Sequence, residues 1–278
     1  MVRNRYLAII FGLCAITSVA SANIQDVLDG AISAWAFEGD MKDMFGRNDG
    51  SVQGDATFAP GKNGMALDVD GTDAWAEVPH GASMNGMADA MTAAVWSRTR
   101  SHNGTDFEMF MWKGEKVGWA PGFLFQLGIR SPNGNTSWGI STDDVEGWFH
   151  SKEELLDDWH HAAIVADGQD LYAYWDGTPI DVVGGHADFG GAAAAPLPLA
   201  GPYALFPDQP IRFGLGQGIG GDVNNKTYYN GLIDDAVIYD RALSQSEVQA
   251  LMAMDLSTAA AIELRGKLAA TWGQLKYR

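Results

Sequence analysis

The chain has 278 residues with 35 acidic and 18 basic side chains, so its formal net charge is −17. This balance argues against nucleic acid and anionic membranes as partners, because binding to phosphate needs clustered Lys and Arg. A chain of this length can bury one sizeable core, and all-β sandwiches of similar size fold as single domains. We expect the acidity mainly to maintain solubility, and it also favours cation binding.

The first residues have the pattern of a secretory signal peptide. Arg3 and Arg5 precede an apolar run over residues 7–20, and Ala20-Ser21-Ala22 supplies a cleavage site. We therefore predict a signal peptide at 1–22 with cleavage after Ala22, and a protein that is secreted, periplasmic or on the cell surface. Cys14 is the single cysteine and would leave with this segment, so we expect no disulfide in the mature chain. No second apolar run has the length of a membrane span.

Short runs of β-type sequence follow from about residue 31 to residue 240, separated by Gly, Asn, Asp and Pro. In 171-LYAYWD-176 the residues Leu171, Ala173 and Trp175 alternate with polar or aromatic neighbours, as in a strand with two different faces. Strands of this length with regular turn signals are typical of a sandwich or jelly roll. The expected strands are 32–37, 65–69, 74–78, 91–98, 122–129, 161–167, 171–176, 211–216 and 232–239.

One helix is well signalled, at residues 244–253. Ser244 and Glu247 form the pattern of a capping box, and Leu243 can contact Val248 as a hydrophobic staple. We expect the apolar face of this helix to pack on the sandwich. The segment 184–202 is rich in Gly, Ala and Pro and is interpreted as a long loop, while residues 265–278 are basic.

Four motifs, in order, resemble a known family. They are 33-SAWAFEGDMKDMFGRNDGSV-52, 60-PGKNGMALDVDGTDAWAEVP-79, 158-DWHHAAIVADGQDLYAYWDGTPI-180 and 231-GLIDDAVIYDRALSQSEVQALM-252. The order resembles laminin-G-like jelly-roll domains of the concanavalin A-like lectin/glucanase superfamily. The resemblance covers residues 30–254 and implies an all-β fold: a two-sheet antiparallel jelly-roll sandwich with a short C-terminal helix and adjacent N- and C-terminal strands. Residues 255–278 are then a basic C-terminal tail.

Glycosidases of that superfamily carry three acids at alternate positions of one strand, and this chain has an incomplete version. In 105-TDFEMF-110 the acids Asp106 and Glu108 share a face, but Gly104 stands where a third acid is needed. A paired-carboxylate site is therefore not visible, and the sequence favours a protein without catalysis. His160 and His161 are adjacent on an expected strand, face opposite ways, and are interpreted as packing and hydrogen-bonding residues.

Calcium is the cofactor that the sequence favours. The loop 38–50 combines carboxylates and Asn with Gly-rich turns, and calcium takes about six to eight oxygen ligands. The family resemblance implies a cation between this first loop and the last strand, with Asp43, the region of Asn48 and Asp235 as its ligands. The alternation of the last strand predicts that Asp234 and Asp235 face opposite sides. The alternative is that these acids only accept backbone N–H bonds in turns.

The tryptophans are the candidate ligand-binding residues of this chain. Ten Trp are present, and sugars stack on exposed aromatic faces, so we predict a ligand surface among Trp112, Trp119, Trp138 and Trp148, which lie in sequence rich in Gly, Asn and acids. The Trp residues inside the strand motifs are expected in the core: Trp35, Trp96, Trp159 and Trp175.

The best interpretation is a secreted binding or adhesion module that recognises carbohydrate, a glycosylated surface or an extracellular protein. The alternatives are a glycoside hydrolase of the same superfamily and a purely structural surface module. All three rest on analogy at the level of the fold, which hosts many functions.

Overall fold

A computed structural model describes residues 27–102, 107–115, 122–130, 135–150, 156–180, 196–217 and 225–259. The predicted signal peptide, the basic tail from residue 260 onward and Trp119 lie outside these ranges. None of the helices within them is both long and apolar enough to span a membrane.

The described ranges contain eighteen β-strands, a 3₁₀ helix at Ala82–Ala88 and an α-helix, α1, at Gln245–Met252, together with helical residues at 27–28 and 256–259. The strands are β1 (Ala31–Trp35), β2 (Ser51–Gln53), β3 (Thr57–Pro60), β4 (Met65–Asp70), β5 (Trp75–Val78), β6 (Met91–Ser101), β7 (Glu108–Gly114), β8 (Phe123–Arg130), β9 (Asn135–Ser141), β10 (Glu146–His150), β11 (His160–Ala166), β12 (Asp170–Trp175), β13 (Thr178–Pro179), β14 (Leu197–Pro198), β15 (Ile211–Phe213), β16 (Leu215–Gln217), β17 (Lys226–Tyr228) and β18 (Asn230–Tyr239).

Two large antiparallel sheets face each other. The first sheet has the order β13-β12-β11-β6-β18-β4-β3, with β1 paired to β18 and β14 paired to β12. The second sheet has the order β10-β9-β8-β7-β15-β5-β2, and β16 and β17 form a separate hairpin. The predicted all-β antiparallel sandwich is therefore confirmed. The first and last strands are neighbours, as the family resemblance implied.

The core lies between the sheets because each strand points alternate residues inward. Ala76 and Phe213 of the second sheet belong to the same buried cluster as Ile164, Ile233 and Ile238 of the first sheet. The intervening residues of each strand therefore point to the outer faces. This alternation decides which residues can meet a ligand.

Part of the outer face of the first sheet is covered by α1 and by residues at the two ends of the described chain, Val27 and Leu28 at one end and Met254, Leu256 and Ala259 at the other. Ser244 caps α1 by accepting the N–H of Glu247, and the Glu247 carboxylate accepts the N–H of Ser244 at 2.8 Å. Val248 and Leu251 are buried against the outer cluster, which also contains Leu243. The predicted helix and its capping box are confirmed, and α1 covers part of this face.

Candidate functional site

The outer face of the second sheet carries a single row of residues across all seven strands. Each member is the direct cross-strand partner of the next. We call it the outer row, and from one edge of the sheet to the other it consists of Ser51, Glu77, Arg212, Trp112, Gln126, Gly139 and Trp148. Side chains directly opposite each other on one face are in contact range, so the outer row is a band of neighbouring polar and aromatic residues that only Gly139 interrupts.

Burial increases from the β2 edge of the outer row towards its middle. Ser51 is exposed and Glu77 is half-buried, whereas Arg212 is 7% exposed and Trp112 and Gln126 are fully buried. Trp148, near the other edge, is 6% exposed and packs on Phe123 with ring centroids 4.9 Å apart. A ligand therefore meets the β2 end of the row most directly.

Arg212 is held in place by three contacts. Its guanidinium lies 5.1 Å from the centre of the Trp112 ring. It donates hydrogen bonds to the carbonyl of Gly114 at 3.0 Å and to the side-chain oxygen of Gln209 at 2.8 Å. Burial lowers the pKa of Arg212, and the carboxylates of Glu77 and Glu115 oppose that shift. All three contacts of the Arg212 guanidinium are with other residues of the protein, and one of them orients the Trp112 ring.

Trp75 and Tyr228 form an aromatic pair beside the exposed end of the outer row. Their ring centroids are 6.0 Å apart, both rings are half-buried, and the ammonium of Lys226 lies 5.3 Å from the Trp75 ring centre. Trp75 shares the outer face of β5 with Glu77, and Gln53 lies opposite Trp75 on β2. Aromatic rings flanked by a carboxylate and an amide can both stack on a ligand and hydrogen-bond to it.

Sequence reasoning missed Trp75 as a ligand residue, although the signal was present. The expected strand 74–78 alternates so that Trp75 and Glu77 oppose Ala76 and Val78. Ala76 and Val78 are fully buried in the core. Trp75 and Glu77 therefore had to lie on the face of the expected strand that points away from the core, and this pattern predicts a binding surface there.

The predicted ligand tryptophans are placed differently from one another. Trp112 and Trp148 both lie on the outer row, whereas Trp138 points into the core and packs edge-on against Trp175 at 5.4 Å. Trp119 lies outside the described residues. Trp112 and Trp138 are fully buried and Trp148 is 6% exposed, because the described part of the stretch 107–150 forms four strands of the second sheet. Their role as ligand residues stays a prediction. Among the tryptophans expected in the core, Trp35 and Trp96 are buried, and Trp159 and Trp175 are half-buried.

Asp43 is a buried hub for its own loop. One of its oxygens accepts the N–H of Ala34 at 3.0 Å, and the other accepts the N–H of Arg47 at 2.8 Å. The remaining donors to these two oxygens are the N–H groups of Phe45 and Asn48 and the hydroxyl of Ser33. Both oxygens of Asp43 therefore already accept hydrogen bonds from the protein. This agrees with the alternative that Asp43 accepts backbone N–H groups in a turn, and it does not fit a calcium ligand.

Asn48 is also committed to the protein. Its amide donates to the hydroxyls of Ser33 at 2.6 Å and Ser83 at 2.9 Å, and its side-chain oxygen accepts from Ser83 at 3.3 Å. Its carbonyl accepts the indole N–H of Trp35 at 2.9 Å. This residue ties the loop to β1 and the 3₁₀ helix, and it too does not fit a calcium ligand.

Asp234 and Asp235 lie on the same side of β18, which corrects the prediction of opposite faces. Both stand between Ile233 and Ala236, whose side chains point into the core. The register against β6 shifts at this point, and Asp235 has a φ of +44°, so the strand contains a bulge. The bulge directs both carboxylates outward towards the turn 61–64.

The two carboxylates differ in how well they are paired. Asp234 accepts the N–H groups of Lys62 at 2.8 Å and Asn63 at 3.1 Å with one oxygen, and the N–H of Asp235 with the other. Asp235 accepts the Asn63 amide at 2.7 Å with Oδ2, while its buried Oδ1 has no partner. A Cβ at Gly61 would lie 2.5 Å from the Asp234 carboxylate, so only glycine allows this approach.

Burial raises the pKa of both acids. The pKa of Asp234 is raised to about 8, by burial and then by the neighbouring charge of Asp235. The pKa of Asp235 is raised to about 7 by burial, against the hydrogen bond from Asn63. No group of three or more His, Cys, Asp or Glu that could hold a metal is found among the residues that the structure describes.

The two adjacent histidines serve packing, as their alternation indicated. His160 pairs with the carboxylate of Asp176 at 2.8 Å and stacks on Trp175 with ring centroids 4.6 Å apart. His161 is buried on the other side of β11, edge-on to Trp96 at 5.3 Å. Of the incomplete acid pair, Glu108 is buried and Asp106 lies outside the described residues.

Comparison with known proteins agrees with this architecture. Residues 70–249 match a family model of laminin-G-like domains, described as the concanavalin A-like lectin/glucanases superfamily. The chain belongs to this superfamily. The matched range begins after β1, yet β1 pairs with β18, so the superfamily fold of this chain starts before residue 70. No curated protein matches the sequence.

Solved structures show the same fold at low identity. Domain 4 of AbnA, an extracellular arabinanase from Geobacillus stearothermophilus solved with arabinotriose, has 17% identity and a TM-score of 0.54 over 80% of this chain and 98% of that one. The binding domain of Paraclostridial Mosquitocidal Protein 1 has 17% identity and a TM-score of 0.57 over 81% of this chain. The binding domain of Botulinum Neurotoxin DC in complex with SialylT has 14% identity and a TM-score of 0.56 over 81%. The chain spans about half, 52%, of each toxin domain.

Proposed function

We propose that this member of the concanavalin A-like superfamily is a non-catalytic carbohydrate-binding module. The observation that carries the proposal is the half-buried Trp75 ring on the outer face of the second sheet, beside Tyr228 and next to Glu77 and Gln53. The C–H groups of a sugar stack on the electron-rich face of an aromatic ring, and its hydroxyls hydrogen-bond to carboxylate and amide groups. The arabinanase domain with arabinotriose and the toxin domain with SialylT support a glycan ligand by analogy of fold.

We propose that this module is exported and works outside the cytoplasm. The predicted signal peptide at 1–22 supports export, and the structural neighbours include a domain of an extracellular arabinanase. An extracellular protein is the second ligand class that we propose, because one toxin binding domain of the same fold is solved in complex with synaptotagmin II.

Substitution of Trp75 is expected to reduce oligosaccharide binding by about tenfold to a hundredfold, since an aromatic anchor supplies a large part of such an interface. Binding of arabinotriose and a panel of neutral and sialylated oligosaccharides is measured by titration calorimetry with the wild type, Trp75→Ala and Trp75→Phe. The Phe variant keeps a ring and is expected to retain most of the affinity. The exposed Leu156, changed to Ala, serves as a control on another surface. A panel without any bound oligosaccharide would sink the proposal.

We further propose a structural calcium ion at Asp235. Of the three ligands predicted from the sequence, only Asp235 keeps a buried oxygen without a partner, and Asp234 lies beside it. A bound divalent cation would supply positive charge where two buried carboxylates otherwise hold protons. Asp43 and Asn48 are not part of this proposal, because their oxygens already accept protein donors.

Calcium is expected to stabilise the wild type by about 2.7 kcal/mol at a concentration one hundred times the Kd, because it binds the folded state alone. Unfolding by urea is followed at pH 8 in calcium and in EDTA for the wild type, Asp235→Asn and the exposed control Asp143→Asn. The gain should persist in the control and vanish in Asp235→Asn. Identical wild-type curves in calcium and EDTA would remove the ion from the proposal.

A further inference from the structure

The middle of the outer row contains a hydrogen-bond donor and an acceptor that the protein leaves unused. Trp112 and Gln126 are fully buried, and neither the indole N–H of Trp112 nor the side-chain oxygen of Gln126 has a hydrogen-bond partner. A buried polar atom without a partner destabilises a fold, so native proteins keep few of them without a reason. The two atoms belong to directly paired residues of β7 and β8.

Both side chains are held in their positions by other contacts. The Gln126 amide donates to the hydroxyl of Ser137 at 3.2 Å, which leaves the Gln126 oxygen as its free end. The Trp112 ring is fixed by the Arg212 guanidinium at 5.1 Å. Directly opposite residues on one sheet face have Cβ atoms about 5 Å apart, so a small group can contact both side chains at once.

A hydroxyl group has the chemistry to pair with both kinds of atom, because its oxygen accepts an indole N–H and its hydrogen is donated to an amide oxygen. Around this polar pair the outer face is apolar, since Met109, Phe123 and Trp148 form a buried cluster with Trp112. A sugar combines hydroxyls with apolar C–H faces, and a neutral sugar fits because the nearby cation, Arg212, already donates to Gly114 and Gln209.

We propose that the pair Trp112 and Gln126 is a subsite for one hydroxyl of a neutral oligosaccharide, a proposal that rests on the carbohydrate-binding function given above. Since both side chains are buried, the side chains packed over the pair must shift for the hydroxyl to reach it. We therefore expect association to be slower than for a preformed open site.

If Trp112 and Gln126 form a subsite, their substitution weakens sugar binding, whereas a pair with only a structural role would affect stability alone. Trp112→Phe removes the unpaired N–H and keeps an aromatic ring, so the loss of that donor offsets part of the cost of the smaller ring while sugar binding weakens. Trp138→Phe is the matched control, because the Trp138 N–H is also buried without a partner but its ring belongs to the core between the sheets. Gln126→Leu removes the acceptor, together with its bond to Ser137, and its melting curve establishes that it folds.

The experiment is titration calorimetry with arabinotriose and the neutral oligosaccharides that the wild type binds. We expect Trp112→Phe and Gln126→Leu each to weaken binding at least about tenfold, and Trp138→Phe to leave it unchanged. A deoxy analogue that lacks the buried hydroxyl should bind the wild type weakly and lose little further affinity in Gln126→Leu. Wild-type affinity in both variants would overturn the subsite and leave the carbohydrate function standing, with the pair holding a water or nothing. A wild type that binds no oligosaccharide overturns both.

Discussion

Replacing Asp43 by Asn is expected to lower the free energy of unfolding by about 4 kcal/mol. The two oxygens of this buried carboxylate accept four backbone N–H groups and one hydroxyl. In the Asn variant an NH₂ group replaces one carboxylate oxygen, so the N–H groups that donated to that oxygen face another donor. Each buried N–H left without a partner costs about 1–3 kcal/mol. Equilibrium unfolding in urea measures the loss.

The matched control for this prediction is Asp40→Asn in the same loop. Asp40 is exposed and accepts the N–H of Lys42 at 3.0 Å, so its replacement should cost less than about 1 kcal/mol. Calcium decides between the two interpretations of Asp43. If the carboxylate is a turn hub, the loss is the same in calcium and in EDTA. A loss that grows when calcium is added would show that Asp43 binds the ion after all.

The parts of the fold that the sequence predicted best are those with local signals. The capping box at Ser244 and Glu247 lies within one turn of chain, and α1 begins where it indicates. The alternation in 171–176 put Leu171 and Ala173 on the same face of a strand, and in the structure both point into the core. These features depend on neighbours a few residues apart, so sequence alone contains the information.

The strands that the sequence did not predict lack such signals. In the stretch 107–150, β7 combines consecutive aromatic and apolar residues with a register shift, β9 has Ser and Gly on either side of its Trp, and β10 has Gly before its Trp. Their strand character comes from pairing with neighbours, which a single sequence does not display. For this reason the sequence did not show that Trp112 and Trp138 lie on strands that bury both indoles.

In the candidate site, too, some features follow from local sequence and others depend on the tertiary fold. Asp234 and Asp235 were found as a motif, but the bulge that brings both to one side arises from pairing with β6, far away in the chain. Trp75 could be placed on the non-core face from alternation, whereas its proximity to Tyr228 depends on the β16–β17 hairpin. The sequence thus indicated residue types and faces, and the tertiary fold determined which of them meet.

The pH dependence of stability is expected to contain a large contribution from His161. This residue is 1% exposed, and burial lowers its pKa to about 4, against the opposing charge of Asp176. Between pH 4 and the ordinary pKa near 6.5, the unfolded chain binds the proton more readily than the folded one. Stability from this group is therefore complete above about pH 6.5 and is lost as the pH falls towards 4, by about 3 kcal/mol in total.

Comparison with non-titrating variants isolates that contribution. Asp234 and Asp235, with raised pKa values, act in the opposite direction, because their stabilising protons are lost as the pH rises towards 8. The wild type, His161→Phe and His161→Gln are unfolded in urea at several pH values from 4.5 to 7.5, in EDTA. The Phe variant keeps an aromatic edge for Trp96, whose ring centroid lies 5.3 Å away. Both variants should lose less stability than the wild type as the pH falls from 6.5 to 4.5. Parallel pH profiles in all three proteins would mean that His161 keeps an ordinary pKa, and that its burial is relieved by local opening before the chain unfolds.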